Sequence, residues 1–428
     1  MKSKRIFCLA ALLLPAVISV YAQDLKFNGY FNSGLGVVYS DSVDVDTFLK
    51  AFGVDSEQNG YRFRLNGSYT HEDGNAGIRF RFQSQSRLNQ GGYFSLPYIY
   101  GWVKLFNDVV YLAGGIVDDS TWQTTDWYII DDVGEGLGAL LKVTPVAGLD
   151  LGIGAYIISQ QAAGSNNILN SGGFLPNFGS ITPKIEDVKY VYSASYTLTD
   201  IFRLGATFRW KNKAGWNGTI DFERYGYVYD GRQESAQLFG ELRFLMVKDL
   251  TAIVAASLDC LEEFDIKGNI VISQTFAYKL GSLTLGLNAA EFLYNRKGIL
   301  GNKIKYDPGL LFNLWGSYAI NNITPRLDLV YFTGGMSKVG GDETYMWHRR
   351  GYANRQIYEI GSDNEQNRSV FSIRPSVKFN INSSTFIEIG NIFNYDFGNF
   401  DGAYGNSADF NKRELISNVF YIDFGWSF

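Results

Sequence analysis

Residues 61–70 alternate without a break. Tyr61, Phe63, Leu65, Gly67 and Tyr69 share one parity, and Arg62, Arg64, Asn66, Ser68 and Thr70 the other. His71 to Asn75 makes a polar turn, after which Ile78, Phe80 and Phe82 alternate with Arg79, Arg81 and Gln83. Successive side chains of a strand point to opposite faces, so this run is a hairpin with one apolar and one polar face. The same period recurs to the end of the chain and so predicts an all-β protein. Composition agrees: aromatics are 16% of the residues and glycines number 47, against 8 prolines and 4 methionines. Such a mixture favours strands and turns over helices.

A soluble sandwich alternates too, and the connections separate the two. Segments with strand patterning run approximately over 25–39, 59–70, 76–86, 97–106, 109–117, 136–144, 149–158, 187–198, 201–211, 234–247, 251–260, 266–279, 282–292, 308–320, 324–333, 368–380, 385–393 and 416–428. Links after the even-numbered segments are tight, as at Asn107-Asp108, Pro145 to Gly148, Thr199-Asp200, Lys248 to Leu250, Asn321 to Ile323 and Ile381 to Ser384. Most links after the odd-numbered ones are long: 40–58, 118–135, 159–186, 212–233, 334–367 and 394–415, with Leu261 to Asp265 a short exception. Tight turns on one rim and long loops on the other are the pattern of an antiparallel up-and-down transmembrane β-barrel. Hydrocarbon offers backbone groups no partner, so a sheet inside it must close on itself. The segments reach the roughly 9–11 residues needed to span. About 18 strands fit this length, with 16 the alternative.

The two ends carry their own signals. Lys2, Lys4 and Arg5 precede an apolar run from Ile6 to Val20, and Val20-Tyr21-Ala22 has the residues of a cleavage site. Residues 1–22 are thus expected to be a secretory signal peptide and 23–428 a single barrel domain. Cys8 lies inside the apolar run, so it is not placed to accept a lipid, and Cys260 is then the one cysteine of the mature chain, which rules out an intrachain disulfide. Losing the three leader cations takes Lys+Arg from 38 to 35 against 43 Asp+Glu, a formal charge of −8 that disfavours nucleic acid as a partner. At the other end Phe420, Ile422, Phe424, Trp426 and Phe428 share one parity, and Phe428 is the last residue of the sequence.

With its leader, alternating hairpins, long third loop and terminal aromatic strand, the chain resembles the bacterial outer-membrane porins, general or sugar-specific. The resemblance implies residence in outer-membrane lipid, recognition of Phe424, Trp426 and Phe428 by the barrel-assembly machinery, and a homotrimer. It also implies passive diffusion of small polar solutes or ions. No globular block precedes the first strand pattern at Leu25, unlike in a transporter with a plugged lumen.

Three groups are candidates for the lining. Arg62 and Arg64 share the polar parity of one strand, and Arg79, Arg81 and Arg87 that of the next; Arg203, Arg209, Arg243, Arg326, Arg374 and Lys378 continue it further on. Guanidinium stays charged at any physiological pH, which suits a basic ladder in a lumen. Pairing of single cations with Glu241 or Asp328 is the competing role. The third long loop carries Asp118, Asp119, Asp126, Asp131 and Asp132. In porins this loop folds inward, and opposed acids and arginines would set a transverse field there. Tyr98, Tyr100 and Trp102 sit opposite in parity to Ile99, Val103 and Leu105. If the aliphatic set faces lipid, these rings line the pore and can stack on sugars. Tyr and Trp are also the residues of the interfacial girdle, and residue type favours that place.

Enzyme chemistry finds no constellation. The histidines are His71 in a turn and His348 in a long loop, and there is no nucleophile elbow, HExxH, CxxC or P-loop. No cofactor or metal is expected. Long loops such as Gly334 to Asn367 leave a second reading open, a barrel that displays its loops as an adhesin or ligand-binding protein. A barrel for hydrophobic substrates would need an apolar inner parity, which the arginines oppose.

Overall fold

The computed structural model describes residues 25–40, 47–52, 61–87, 90–117, 136–157, 188–211, 235–261, 270–293, 295–297, 303–305, 309–337, 365–396 and 415–428. Their strands are β1 (Leu25–Ser40), β2 (Thr47–Phe52), β3 (Tyr61–Thr70), β4 (Ala76–Arg87), β5 (Gln90–Leu105), β6 (Val110–Val117) and β7 (Gly136–Val146). There follow β8 (Leu149–Ile157), β9 (Val188–Leu198), β10 (Phe202–Lys211), β11 (Ser235–Phe244), β12 (Leu250–Leu261), β13 (Ile270–Leu280) and β14 (Leu283–Leu293). The last are β15 (Asn295–Lys297), β16 (Lys303–Lys305), β17 (Gly309–Tyr318), β18 (Ile323–Ser337), β19 (Glu365–Asn380), β20 (Thr385–Asp396) and β21 (Leu415–Ser427). Among the described residues no helix occurs.

Eighteen of these strands form one closed antiparallel barrel, each paired with its neighbour in the chain. The sheet closes where β1 meets β21, in register from Tyr30↔Ser427 to Ser40↔Ser417. Gly29 and Phe428 exchange backbone hydrogen bonds of 3.0 and 3.1 Å at the end of that seam. On its other side β1 pairs first with β3, from Leu25↔Tyr69 to Ser33↔Tyr61, and then with β2, from Gly34↔Phe52 to Tyr39↔Thr47. Thus β2 takes over the edge of β1 where β3 stops. The short β15 and β16 form a separate two-stranded sheet between β14 and β17.

Burial follows the parity, inverted relative to a soluble protein. Large apolar side chains such as Phe27, Ile78, Ile99, Leu204, Leu238, Leu314 and Ile422 are exposed on the outer face. Polar ones such as Glu241, Ser273, Asn313, Asp328 and Arg374 are buried on the inner face. A wall of this kind is stable only with an apolar medium outside it.

The tight turns of one rim use residues that tolerate left-handed backbone. Asp200, Asp249 and Asn321 have φ of 58°, 63° and 52°, and Gly148 has φ of 83°. Asn and Asp reach this region at small cost, whereas a β-branched residue does not. At Gly148 a Cβ would also stand 2.3 Å from the Thr197 carbonyl oxygen. The Gly148 carbonyl accepts from the Thr197 amide at 2.7 Å, so the backbone there is tied to β9. Gly148→Val is expected to cost about 1–3 kcal/mol. Asn321→Gly, at a turn where glycine is equally suited, should change stability by well under about 1 kcal/mol. Urea unfolding from liposomes measures both.

All eighteen expected segments are present. The largest boundary shift is in β5, which begins at Gln90 rather than 97. Pro97 interrupts the pattern there, at a register shift between Arg81 and Gln83 where the missing N–H is tolerated. The stretches read as loops at 40–58 and 334–367 contain β2, the end of β18 and the start of β19. These lie on the loop rim, where both faces of a strand can meet water and alternation lapses.

Candidate pore lining

The inner face of β3, β4 and β5 gathers the first group. Register sets Asn66 opposite Arg81, Arg64 opposite Gln83 and Ser68 opposite Arg79. Across the next pair it sets Arg79 opposite Tyr100, Arg81 opposite Tyr98 and Gly77 opposite Trp102. Tyr98, Tyr100 and Trp102 are 8%, 2% and 9% exposed, while Ile99 between them is 42% exposed. The three rings therefore belong to the inner wall and not to an outer girdle. A Cβ on Gly77 would meet the Trp102 ring at 2.6 Å, so the indole lies flat over that glycine, stacked on Tyr111 with centroids 6.0 Å apart.

These rings and amides hold the arginines. Arg81 Nε donates to Asn66 Oδ1 at 2.8 Å, and its guanidinium lies 4.7 Å from the centroid of Tyr98. The Tyr98 hydroxyl donates to the same Asn66 oxygen at 3.3 Å, and Asn66 Nδ2 donates to Asn28 Oδ1 at 2.8 Å. Arg64 Nε donates to Gln83 Oε1 at 2.5 Å, with Tyr30 5.5 Å from its guanidinium. Arg79 hydrogen-bonds the side chain of Tyr100. Every one of these partners is neutral, and among the described residues Arg64 and Arg81 make these bonds through Nε. A guanidinium fixed by its Nε and by a ring face keeps its charge and presents a pre-oriented fork of donors.

Two other stations look different. Arg203 and Arg243 face each other across β10 and β11. Beside them Glu241 accepts from Arg243 Nε and, at 3.2 Å, from Arg243 Nη2. Further round, Arg326 donates to Asp328 through both Nε and Nη2 at 2.7 Å, with Trp315 4.2 Å from its guanidinium. Asn313 Nδ2 donates to Asp328 at 3.2 Å, Arg374 stands opposite Asp328, and Arg374 Nε donates to Ser372 Oγ at 2.8 Å. Lys378 faces Glu388 across the next pair. Among the described residues the wall thus carries a row of arginines with neutral partners and two arginine pairs each holding a carboxylate, and Lys142 of β7 is within electrostatic reach of Asp150, Arg203 and Arg79.

No family profile and no curated protein matches the chain. Solved structures do. OccK2 (OpdF) of Pseudomonas aeruginosa, in complex with glucuronate, is 12% identical with a TM-score of 0.53, over 94% of this chain and 98% of that one. A BenF-like porin from Pseudomonas fluorescens is 12% identical with a TM-score of 0.52, over 95% and 99%. OpdK of Pseudomonas aeruginosa with vanillate is 10% identical with a TM-score of 0.50, over 94% and 99%. The chain has the porin fold. At these identities the likeness is one of fold.

Within this porin fold the remaining candidates are placed as follows. Arg62, Arg87 and Arg209 take inner-face register positions opposite Gln85, Gln90 and Gln237, and their side chains lie outside the described residues. Asp118, Asp119, Asp126, Asp131 and Asp132 all lie outside the described residues. Phe424, Trp426 and Phe428 are exposed on the outer face. Trp315, Tyr111 and Asn313 were not among the expected lining residues. Their signal is register: Trp315 stands opposite Asp328, and Tyr111 opposite Lys104 and Lys142.

Proposed function

We propose that the protein is an outer-membrane channel through which small hydrophilic solutes, anions foremost, diffuse without energy input. The observation that carries this reading is the inner row of Arg64, Arg79 and Arg81, held by neutral side chains and so uncompensated by them. Fixed guanidiniums in a narrow passage attract and orient anions. OccK2 was solved with glucuronate and OpdK with vanillate. Both ligands are carboxylates, which match the fork of an arginine.

An eighteen-stranded wall encloses more space than its own side chains fill. Val117, Tyr156, Val191, Ser273, Asn313, Val330 and Ser372 nonetheless have no exposed surface to 0%. This supports a narrowed interior, and we assign the acids of 118–135 to its constriction. Export by the leader, assembly through the Phe428 tail, and a trimer complete the proposal.

Purified protein in planar bilayers is expected to form channels with a reversal potential favouring chloride over potassium. Liposomes containing it should swell faster in glucuronate than in a neutral sugar of the same size. Folded protein without conductance overturns the reading.

A further inference from the structure

We propose that Glu241 and Asp328 are specificity-determining residues that each occupy one arginine fork of a latent anion station and so favour the β3–β5 wall for anions. The inference deepens the channel reading above and rests on it.

Both carboxylates sit inside the wall, 3% and 7% exposed. Each shares a strand and a face with an arginine two residues away: Glu241 with Arg243 and Arg326 with Asp328. Each also has a second arginine close in register. Arg203 stands opposite Arg243, and Arg374 stands opposite Asp328. Like charges directly opposite across an antiparallel pair repel. Arg203 and Arg243 are such a pair, and Glu241, with Asp150 of β8 also within electrostatic reach of Arg203, lets them stand together. At the other station Asp328 accepts from Nε and Nη2 of Arg326 and from the amide of Asn313, so its two oxygens already hold one guanidinium fork.

The three sites therefore differ in kind. On β3 and β4 the guanidiniums are held by rings and amides, with no carboxylate hydrogen-bonded to them among the described residues. On β10–β11 and on β18–β19 the protein supplies its own carboxylate where a solute's carboxylate would bind. Glu241 and Asp328 occupy those forks as built-in competitors. With those two forks occupied, the donors left open to an anion's carboxylate are those beside Tyr98 and Tyr100 on the arginine row.

Removing either carboxylate uncovers a station. Glu241→Gln and Asp328→Asn keep the shape and the hydrogen-bond acceptor and delete the charge. Each is expected to raise the chloride-to-potassium permeability ratio about two-fold, the effect of one unit charge acting through water over the width of a pore. The double variant Glu241→Gln with Arg243→Gln restores the charge count and should return the ratio to that of the unaltered protein. That restoration separates a charge effect from a change of shape. Heat-modifiable migration on gels and urea unfolding confirm that each variant is folded. If a variant loses the barrel, glutamate-to-glutamine exchange at Glu241 is replaced by chloride titration of the Arg243→Gln protein, which should show a lower ratio. Channels that conduct with an unchanged ratio, or a ratio lowered by Glu241→Gln and Asp328→Asn, overturn the inference. Unaltered protein that does not conduct overturns the channel reading instead.

Discussion

Replacing Arg64, Arg79 and Arg81 together by glutamate is expected to reverse the ion preference of the channel. The three cations lie on two neighbouring strands with Gln83, Asn66, Tyr98 and Tyr100 as their partners. No carboxylate among these partners is stranded by the change, and the amides can donate to a glutamate as readily as they accept from an arginine. The barrel should therefore tolerate it. Three charges change sign on one stretch of wall, a net change of about six units, and the chloride-to-potassium ratio is expected to fall by about ten-fold or more at low salt. Near 1 M salt the Debye length shrinks to about 3 Å, and the difference should shrink with it. The triple glutamine variant belongs between the two. Reversal potentials across a salt gradient measure all three proteins. A ratio that stays anionic in the glutamate variant would place the selective step elsewhere, with 118–135 the first segment to test.

How far the sequence foretells this wall depends on what each residue faces. In 61–83 one parity meets an apolar medium and the other an aqueous interior, so alternation is strict and both strands are legible. Register follows from it, because a slip by one residue would turn Phe63 and Leu65 inward and Arg64 outward. The same parity put Tyr98, Tyr100 and Trp102 with the arginines, but residue type argued for the girdle. Register decides between them: Tyr100 stands opposite Arg79 and Tyr98 opposite Arg81. Two compensated arginines are legible: Glu241 and Asp328 stand two residues from Arg243 and Arg326 on the same strand and face, and the structure pairs them. Around Arg79 and Arg81 the same-parity neighbours are Gly77 and Gln83, which carry no charge. The partners from across the strand pairs, Asn66, Tyr98 and Tyr100, follow only from register, which alternation does not name. Thr47–Phe52 and the start of β5 escaped for another reason. Thr-Phe-Leu-Lys-Ala-Phe is apolar on both parities, and Gln-Gly-Gly opens β5 with residues that favour turns. Beyond the hydrocarbon, backbone pairing holds such strands without any demand on their faces.

The closing seam sets the second large effect, at Gly29. This residue faces outward in β1, where the sheet's first and last strands meet. It exchanges two backbone hydrogen bonds with Phe428, whose ring stacks on Phe63 with centroids 6.3 Å apart. A Cβ on Gly29 would stand 2.1 Å from the Arg64 carbonyl oxygen of β3 and 2.7 Å from the tip of the Phe428 ring. The ring can swing away, but the backbone of β3 cannot move without breaking the ladder that places Arg64. Gly29→Val must therefore open one side of β1 or the other. An open barrel leaves the edges of two strands unpaired in hydrocarbon, at several kcal/mol for each backbone group. The heat-modifiable folded species is expected to fall below about one-tenth of its normal yield. In refolding from urea, where no assembly machinery acts, Phe428→Ala alone keeps the backbone bonds and loses the ring contacts with Phe63 and Trp426, so most of the protein should still fold. The combination discriminates between the two clashes. If Phe428→Ala rescues Gly29→Val, the ring was the obstacle; the shorter distance to Arg64 says that it will not, and that Gly29 is required for the approach of β1 to β3.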